Sequence, residues 1–159
     1  MSKLFLIEPL RLNLEYYNMK DANGVFIDTG AFLAMLMPGD QFSGTAIKAW
    51  DNLENLNLPL FSSEPVLIET ANFLIRQQSS EIAAEWLNSS QDSTEIRWLQ
   101  PSKDDFRFAK ELIVKFSDQR ISMTDALSFS LMRRHNINQA FSFDRHFPMA
   151  GFKLWQELL

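Results

Sequence analysis

The sequence predicts an α/β domain with a mostly parallel central sheet of about five strands and helices on both faces, preceded by an N-terminal extension. Two observations lead there. From Gly24 onward, short runs rich in β-branched and aromatic residues alternate with longer segments of helical period, and strands separated by helices imply βαβ units. The length, 159 residues with no internal repeat or low-complexity tract, fits one domain with a core and not two.

The strand-like runs are Val25–Ile27, Leu58–Phe61, Glu95–Leu99, Gln139–Phe143 and Phe152–Trp155. Helical segments lie between them. Ala31–Met37 stops at Pro38-Gly39, and Thr45–Leu56 places Ala46, Ala49, Trp50 and Leu53 at helical spacing. Pro65–Gln78 starts with proline where a helix tolerates it, and Ser80–Leu87 follows. Asp104–Phe116 keeps Phe108, Leu112 and Phe116 in register, and Thr124–His135 is the last clear helix. Residues 1–23 stand apart from the domain at 24–159. There Leu10, Leu12, Leu14 and Tyr16 alternate with polar residues, as in an added edge strand, and Asp21-Ala22-Asn23-Gly24 supplies a turn. Met19 offers an alternative start.

Composition narrows the function. A chain 46% hydrophobic and 22% charged is a globular protein, and no stretch approaches the roughly 18 apolar residues of a membrane span. The absence of cysteine excludes disulfides and thiolate zinc sites and suits a reducing, cytoplasmic setting. A net charge of −5 argues against gripping nucleic acid by bulk electrostatics, although divalent cations could neutralise acids locally.

Four acids carry the chemistry. Asp28 directly follows Val25-Phe26-Ile27, and Asp144 directly follows Ala140-Phe141-Ser142-Phe143. An acid after a strand is often a turn or cap residue, but two after strands of one parallel sheet share the edge where ligands bind. Asp125 has a sound structural role as partner of Ser122 in a capping box. It also begins a helix whose Met123, Ala126, Leu127, Ser130 and Leu131 read as a buried stripe, which sets it where a packed helix meets the strand ends. Glu69 is the only charge from Pro65 to Ile75 and falls opposite the Leu67, Ala71, Leu74 stripe, yet Ile68 and Phe73 make its own side apolar. A carboxylate in a helix covered nearly all round requires a partner.

The acids Asp28, Glu69, Asp125 and Asp144, in this order and context, resemble those of the PIN-domain nucleases, especially the VapC-type toxins. The matching pieces are Phe26-Ile27-Asp28-Thr29, Leu67-Ile68-Glu69-Thr70, Thr124-Asp125-Ala126-Leu127 and Ser142-Phe143-Asp144-Arg145-His146-Phe147, with Gly151-Phe152-Lys153-Leu154 like the closing strand. The resemblance spans about residues 24–156 and departs from the compact family pattern in its N-terminal extension. It implies metal-dependent hydrolysis of RNA, with Asp28, Asp125 and Asp144 as metal ligands and Glu69 holding a second ion or orienting the attacking water. Hard carboxylates without imidazole or thiolate select Mg²⁺ or Mn²⁺. Thr29, Thr124 and Ser142 are candidate supporting hydroxyls; Arg145 and His146 read as solvated loop residues beside the site, and His135 as a helix C-terminal cation.

The resemblance further implies a toxin–antitoxin setting with RNA as substrate, a small antitoxin protein as partner and a homodimer as a further option. Phe32, Met35, Trp50 and Leu53 could form the groove for such a contact, or simply fill the core. The alternative is a catalytically silent PIN-like module that binds a protein, but such a module has no reason to bear the repulsion among four acids. An aspartic protease is disfavoured although Asp28-Thr29-Gly30 mimics its triplet, because a helix-like run follows. A haloacid-dehalogenase phosphatase would require an aspartate where Gly30 stands.

Overall fold

The structure, a computed structural model, describes residues 24–157; the expected edge strand at 10–16 and the alternative start at Met19 lie outside them. Five strands, β1 (Val25–Ile27), β2 (Leu60–Ser63), β3 (Ile96–Leu99), β4 (Gln139–Phe141) and β5 (Lys153–Leu154), form one sheet in the order β3-β2-β1-β4-β5. Every pairing is parallel, with Phe26 beside Phe61 on one flank and Ala140 on the other. Val25, Phe26, Ile27, Ala140 and Phe141 are fully buried. Because successive strand residues point to opposite faces, both faces of the sheet centre are covered.

The helices are α1 (Thr29–Leu36), α2 (Ser43–Leu56), α3 (Glu64–Gln77), α4 (Ser80–Asp92), α5 (Lys103–Lys115), α6 (Met123–Arg134) and the short α7 (His146–Met149). Capping fixes their starts. Ser63, Ser79, Ser102 and Ser122 each accept a backbone N–H in the first turn, and Ser102 and Ser122 do so within full capping boxes. α4 packs on α3 and α5 on α6, while α3 also meets α1 and α6. The aromatic core around α6 and β5 joins Phe129, Phe147 and Phe152 edge-on and stacked.

Several boundaries differ from expectation. β2 lies two residues later than Leu58–Phe61, because Pro59 has no N–H for the ladder and Ser62 and Ser63 are buried strand residues. Their hydroxyls are satisfied locally: Ser62 donates to Ile27 O at 2.8 Å and Ser63 caps α3. β4 ends at Phe141, so Ser142 and Phe143 belong to the loop that carries Asp144. α4 runs a further turn past Leu87 through a polar stretch in which Ser89 bonds back to Glu85 O.

Of the two readings of the early-helix residues, core filling holds for two of the four. Phe32 and Leu53 are core residues, and Met35 and Trp50 pack half-buried against that core. The helix bearing Glu69 is not covered all round either, since Ile68 is 60% exposed and Ile75 48%. Met123 leaves the expected α6 stripe at 37% exposure, whereas Ala126, Leu127, Ser130 and Leu131 are buried.

Candidate active site

The strand order reverses between β1 and β4: the chain steps outward from β1 to β2 and β3, then returns to add β4 and β5 on the other side. In an open parallel sheet this switch point leaves a crevice beyond the strands' carboxyl ends. Asp28 follows β1 and Asp144 lies three residues beyond β4, so both acids stand at that crevice. The cleft encloses about 900 Å³, and Asp28, Glu69, Asp125 and Asp144 all line it.

Asp28 occupies the N-cap position of α1, but its carboxylate makes no capping bond. It is 5% exposed and accepts a hydrogen bond from Ser142 Oγ at 2.8 Å. The same Ser142 Oγ accepts from the Asp144 N–H at 3.0 Å, so one buried hydroxyl ties the two strand-end acids together. Gln156 Nε2 holds the Ser142 carbonyl from behind. Glu69, half-buried on α3, is fixed by Thr29 Oγ1, which donates to its Oε2 at 2.5 Å. Of the three candidate hydroxyls, Thr29 and Ser142 thus donate to acids of the cleft, while the Thr124 hydroxyl makes no hydrogen bond among the described residues.

Asp125 performs its capping role in full. Its Oδ2 accepts from Ser122 N at 2.9 Å, and its own N–H donates to Ser122 Oγ at 3.0 Å. It does so at the cleft, with His146 Nδ1 3.8 Å from that same Oδ2. His146 corrects the expectation of a solvated loop residue: its side chain is 15% exposed and packed between neighbours. Nδ1 lies 3.0 Å from Asp144 Oδ1, and Nε2 lies 3.1 Å from Gln119 O. Both ring nitrogens face oxygen atoms, a carboxylate on one side and a carbonyl on the other. The all-carboxylate set expected from the sequence therefore has an imidazole beside it, held against Asp144. Arg145 is exposed and lines the cleft. His135 does cap the C-terminus of α6, but partial burial and the positive charges of Arg134 and Arg97 hold its imidazole below the usual range, so it is not the favoured cation expected.

The electrostatics follow from burial. Burial first, then the negative charges of Asp125 and Glu69, push the Asp28 carboxyl up to about 7 against the opposing bonds from Ser142 and Thr29. Burial likewise raises Asp125, helped by Asp144 and Glu69 and opposed by its bonds to Ser122. Asp125, Asp144 and His146 offer ligand atoms within 4.8 Å of one another, and Ser142 couples Asp28 to that group. Oxygen donors that repel each other and resist ionisation are those a hard divalent cation would relieve. The donor set fits such an ion.

Comparison with known proteins agrees with this geometry. Residues 25–153 match the PIN domain. The 23S rRNA-specific endonuclease VapC20 of Mycobacterium tuberculosis, in strains CDC 1551 / Oshkosh and ATCC 25618 / H37Rv, is 31% identical over 128 residues, covering 80% of this chain and 95% of the relative. The crystal structure of Mycobacterium tuberculosis VapC20, described as a sarcin–ricin loop cleaving toxin, superposes with a TM-score of 0.74, covering 81% of this chain and 96% of that one. With its fold, its switch-point acids and these matches in accord, the chain belongs to the PIN-domain family.

Proposed function

We propose that the protein is an endoribonuclease that hydrolyses RNA phosphodiester bonds as the toxin of a toxin–antitoxin pair. The observation that carries this is the convergence of four carboxylates on one cleft, with Asp28 so buried among negative charges that it titrates near 7. A protein-binding module gains nothing from that repulsion. The likeness to a 23S rRNA-specific endonuclease supports RNA as the substrate class and makes the sarcin–ricin loop the first sequence to try.

Asp28, Asp125 and Asp144 are the residues that would hold Mg²⁺ or Mn²⁺. When bound, such an ion supplies charge neutralisation at the phosphate and a more acidic water. Glu69, anchored at Oε2 by Thr29, keeps one oxygen with which to orient the water that adds to phosphorus as the ester P–O bond breaks. Ser142 sets the orientation of Asp28, and His146 that of Asp144. Arg145 is exposed at the cleft and available to a substrate phosphate. A small antitoxin protein as inhibitor rests on the toxin assignment of the relative.

The test is cleavage of a sarcin–ricin stem-loop by the purified protein in millimolar Mg²⁺ or Mn²⁺, with chelator and Asp125→Asn as controls. Asparagine keeps the acceptor that Ser122 N requires, so the fold should persist while hydrolysis disappears. Equal cutting by a folded Asp125→Asn would overturn the assignment.

A further inference from the structure

The cleft that holds the acids has a second, apolar wall that hydrolysis itself does not need. Leu33, Met37, Pro38, Phe42, Phe73 and Phe143 form it. Phe42 and Phe143 are stacked at 4.5 Å between ring centroids and 8° between planes, and Phe143 in turn meets Phe141 edge-on. Phe42 nevertheless remains 39% exposed.

A single exposed phenylalanine is ordinary on a protein surface. This one is held in place. Its N–H donates to Asp40 Oδ1 at 2.7 Å, in a turn where Gly39 takes φ +78° and Asp40 N bonds back to Met37 O. The turn delivers Phe42 to α2 as its N-cap residue, using the backbone alone, so the ring has no role in the cap.

We infer that the Phe42–Phe143 stack is a platform for one unpaired nucleobase of the RNA strand whose phosphodiester lies at the acids. This deepens the ribonuclease assignment and rests on it. The lining of the cleft bears on how such an occupant is held. Among the described residues, Asp28, Asp40, Glu69, Asp125 and Asp144 line it with Arg145 as the one cation, so contacts to the phosphate backbone alone would hold a strand poorly. Stacking on an aromatic face supplies affinity for single-stranded nucleic acid that does not depend on that charge. Phe42 and Phe143 line the same cleft as Asp28, Glu69, Asp125 and Asp144, which assigns the stacked base to a nucleotide near the scissile phosphate.

The experiment uses the full chain and a sarcin–ricin stem-loop RNA in which a single abasic nucleotide is stepped through the loop. Phe42→Ala should raise KM roughly tenfold on the intact loop with kcat little changed, because a stacking contact binds ground and transition states alike. Phe42→Trp should restore it. With one abasic position, and only that one, wild type and Phe42→Ala should become equal. The same RNA carrying 2-aminopurine at that position reports stacking by fluorescence quenching and needs no cleavage. Product formation with equal KM and equal quenching in Phe42→Ala would overturn the platform while leaving the nuclease. Quenching without product would overturn the nuclease while leaving the platform. A loss in Phe42→Ala that tryptophan does not rescue, or that persists at every abasic position, also overturns it. So would a Phe42→Ala that binds RNA normally and loses only a protein partner.

Discussion

Replacing Asp28 by asparagine should stabilise the metal-free protein at neutral to alkaline pH, and a divalent cation should reverse that order. The Asp28 carboxyl moves from 3.8 to about 7 on folding, driven by burial and then by Asp125 and Glu69. Below 3.8 it is protonated in both the folded and the unfolded chain, and it costs no stability. Between 3.8 and about 7 the unfolded chain releases the proton while the fold retains it, so stability falls as pH rises. At about 1.4 kcal/mol for each tenfold change in proton affinity, the full cost above that window is about 4 kcal/mol. The carboxamide removes the charge and still offers an oxygen to Ser142 Oγ. In chelator, Asp28→Asn should therefore match wild type at about pH 4 and exceed it by a few kcal/mol at about pH 8. A cation that binds only the folded state adds about 2.7 kcal/mol at a hundred times its Kd, and the variant should forgo much of that gain. The assay is urea unfolding followed by tryptophan fluorescence at both pH values, with chelator and with millimolar Mn²⁺. If the variant is no more stable than wild type at the higher pH in chelator, the buried-charge account is wrong. If Mn²⁺ stabilises both proteins equally, Asp28 is not a ligand.

Two further outcomes are expected. His146→Ala frees Asp144 from its imidazole partner and should weaken Mn²⁺ binding by about tenfold to a hundredfold, measured by calorimetric titration; unchanged affinity would show that the ring is packing alone. Burial pushes the Asp105 carboxyl up, but the bonds from Ser102 and Ser130 and the charge of Arg134 outweigh it and hold the group below its ordinary range. Its stabilising contribution is thus present above 3.8 and lost as pH falls through the folded value, and Asp105→Ala should cost about 3 kcal/mol at neutral pH while leaving the Mn²⁺ affinity of the folded protein intact.

The sheet was readable because its middle strands are buried on both faces and so appear as unbroken apolar runs such as Val25-Phe26-Ile27. Polar residues obscured the remainder. Ser62 and Ser63 are strand residues whose hydroxyls find backbone partners 35 residues away and three residues away, and no local pattern announces the first of these. The four acids could be picked out one by one, each from its strand end, helix start or lone charge, and the structure brings all of them to one cleft. His146 reads as a loop residue in the sequence because its partners are Asp144, Asp125 and the Gln119 carbonyl, the last 27 residues earlier. The one available signal was its position two residues after Asp144, where the Asp144 carboxylate also accepts the His146 N–H. The Phe42–Phe143 pair is a contact across the whole domain, which periodicity within either segment cannot report.

Asp125 and Asp28 carry different information about any relative in which they are changed or kept. Asp125 holds the N-terminus of α6 whether or not the protein cuts anything, since Ser122 N depends on its Oδ2. A relative that had lost activity would still be under pressure to keep an acid or amide there. The Asp28 carboxylate makes no capping bond and burdens the metal-free fold with a buried charge. Drift would remove it first, and the variants that removed it would be the sturdier proteins. Among chains of this kind, an acid at the end of the first strand is therefore the better marker of a working site, and an acid at the start of α6 the better marker of an intact helix.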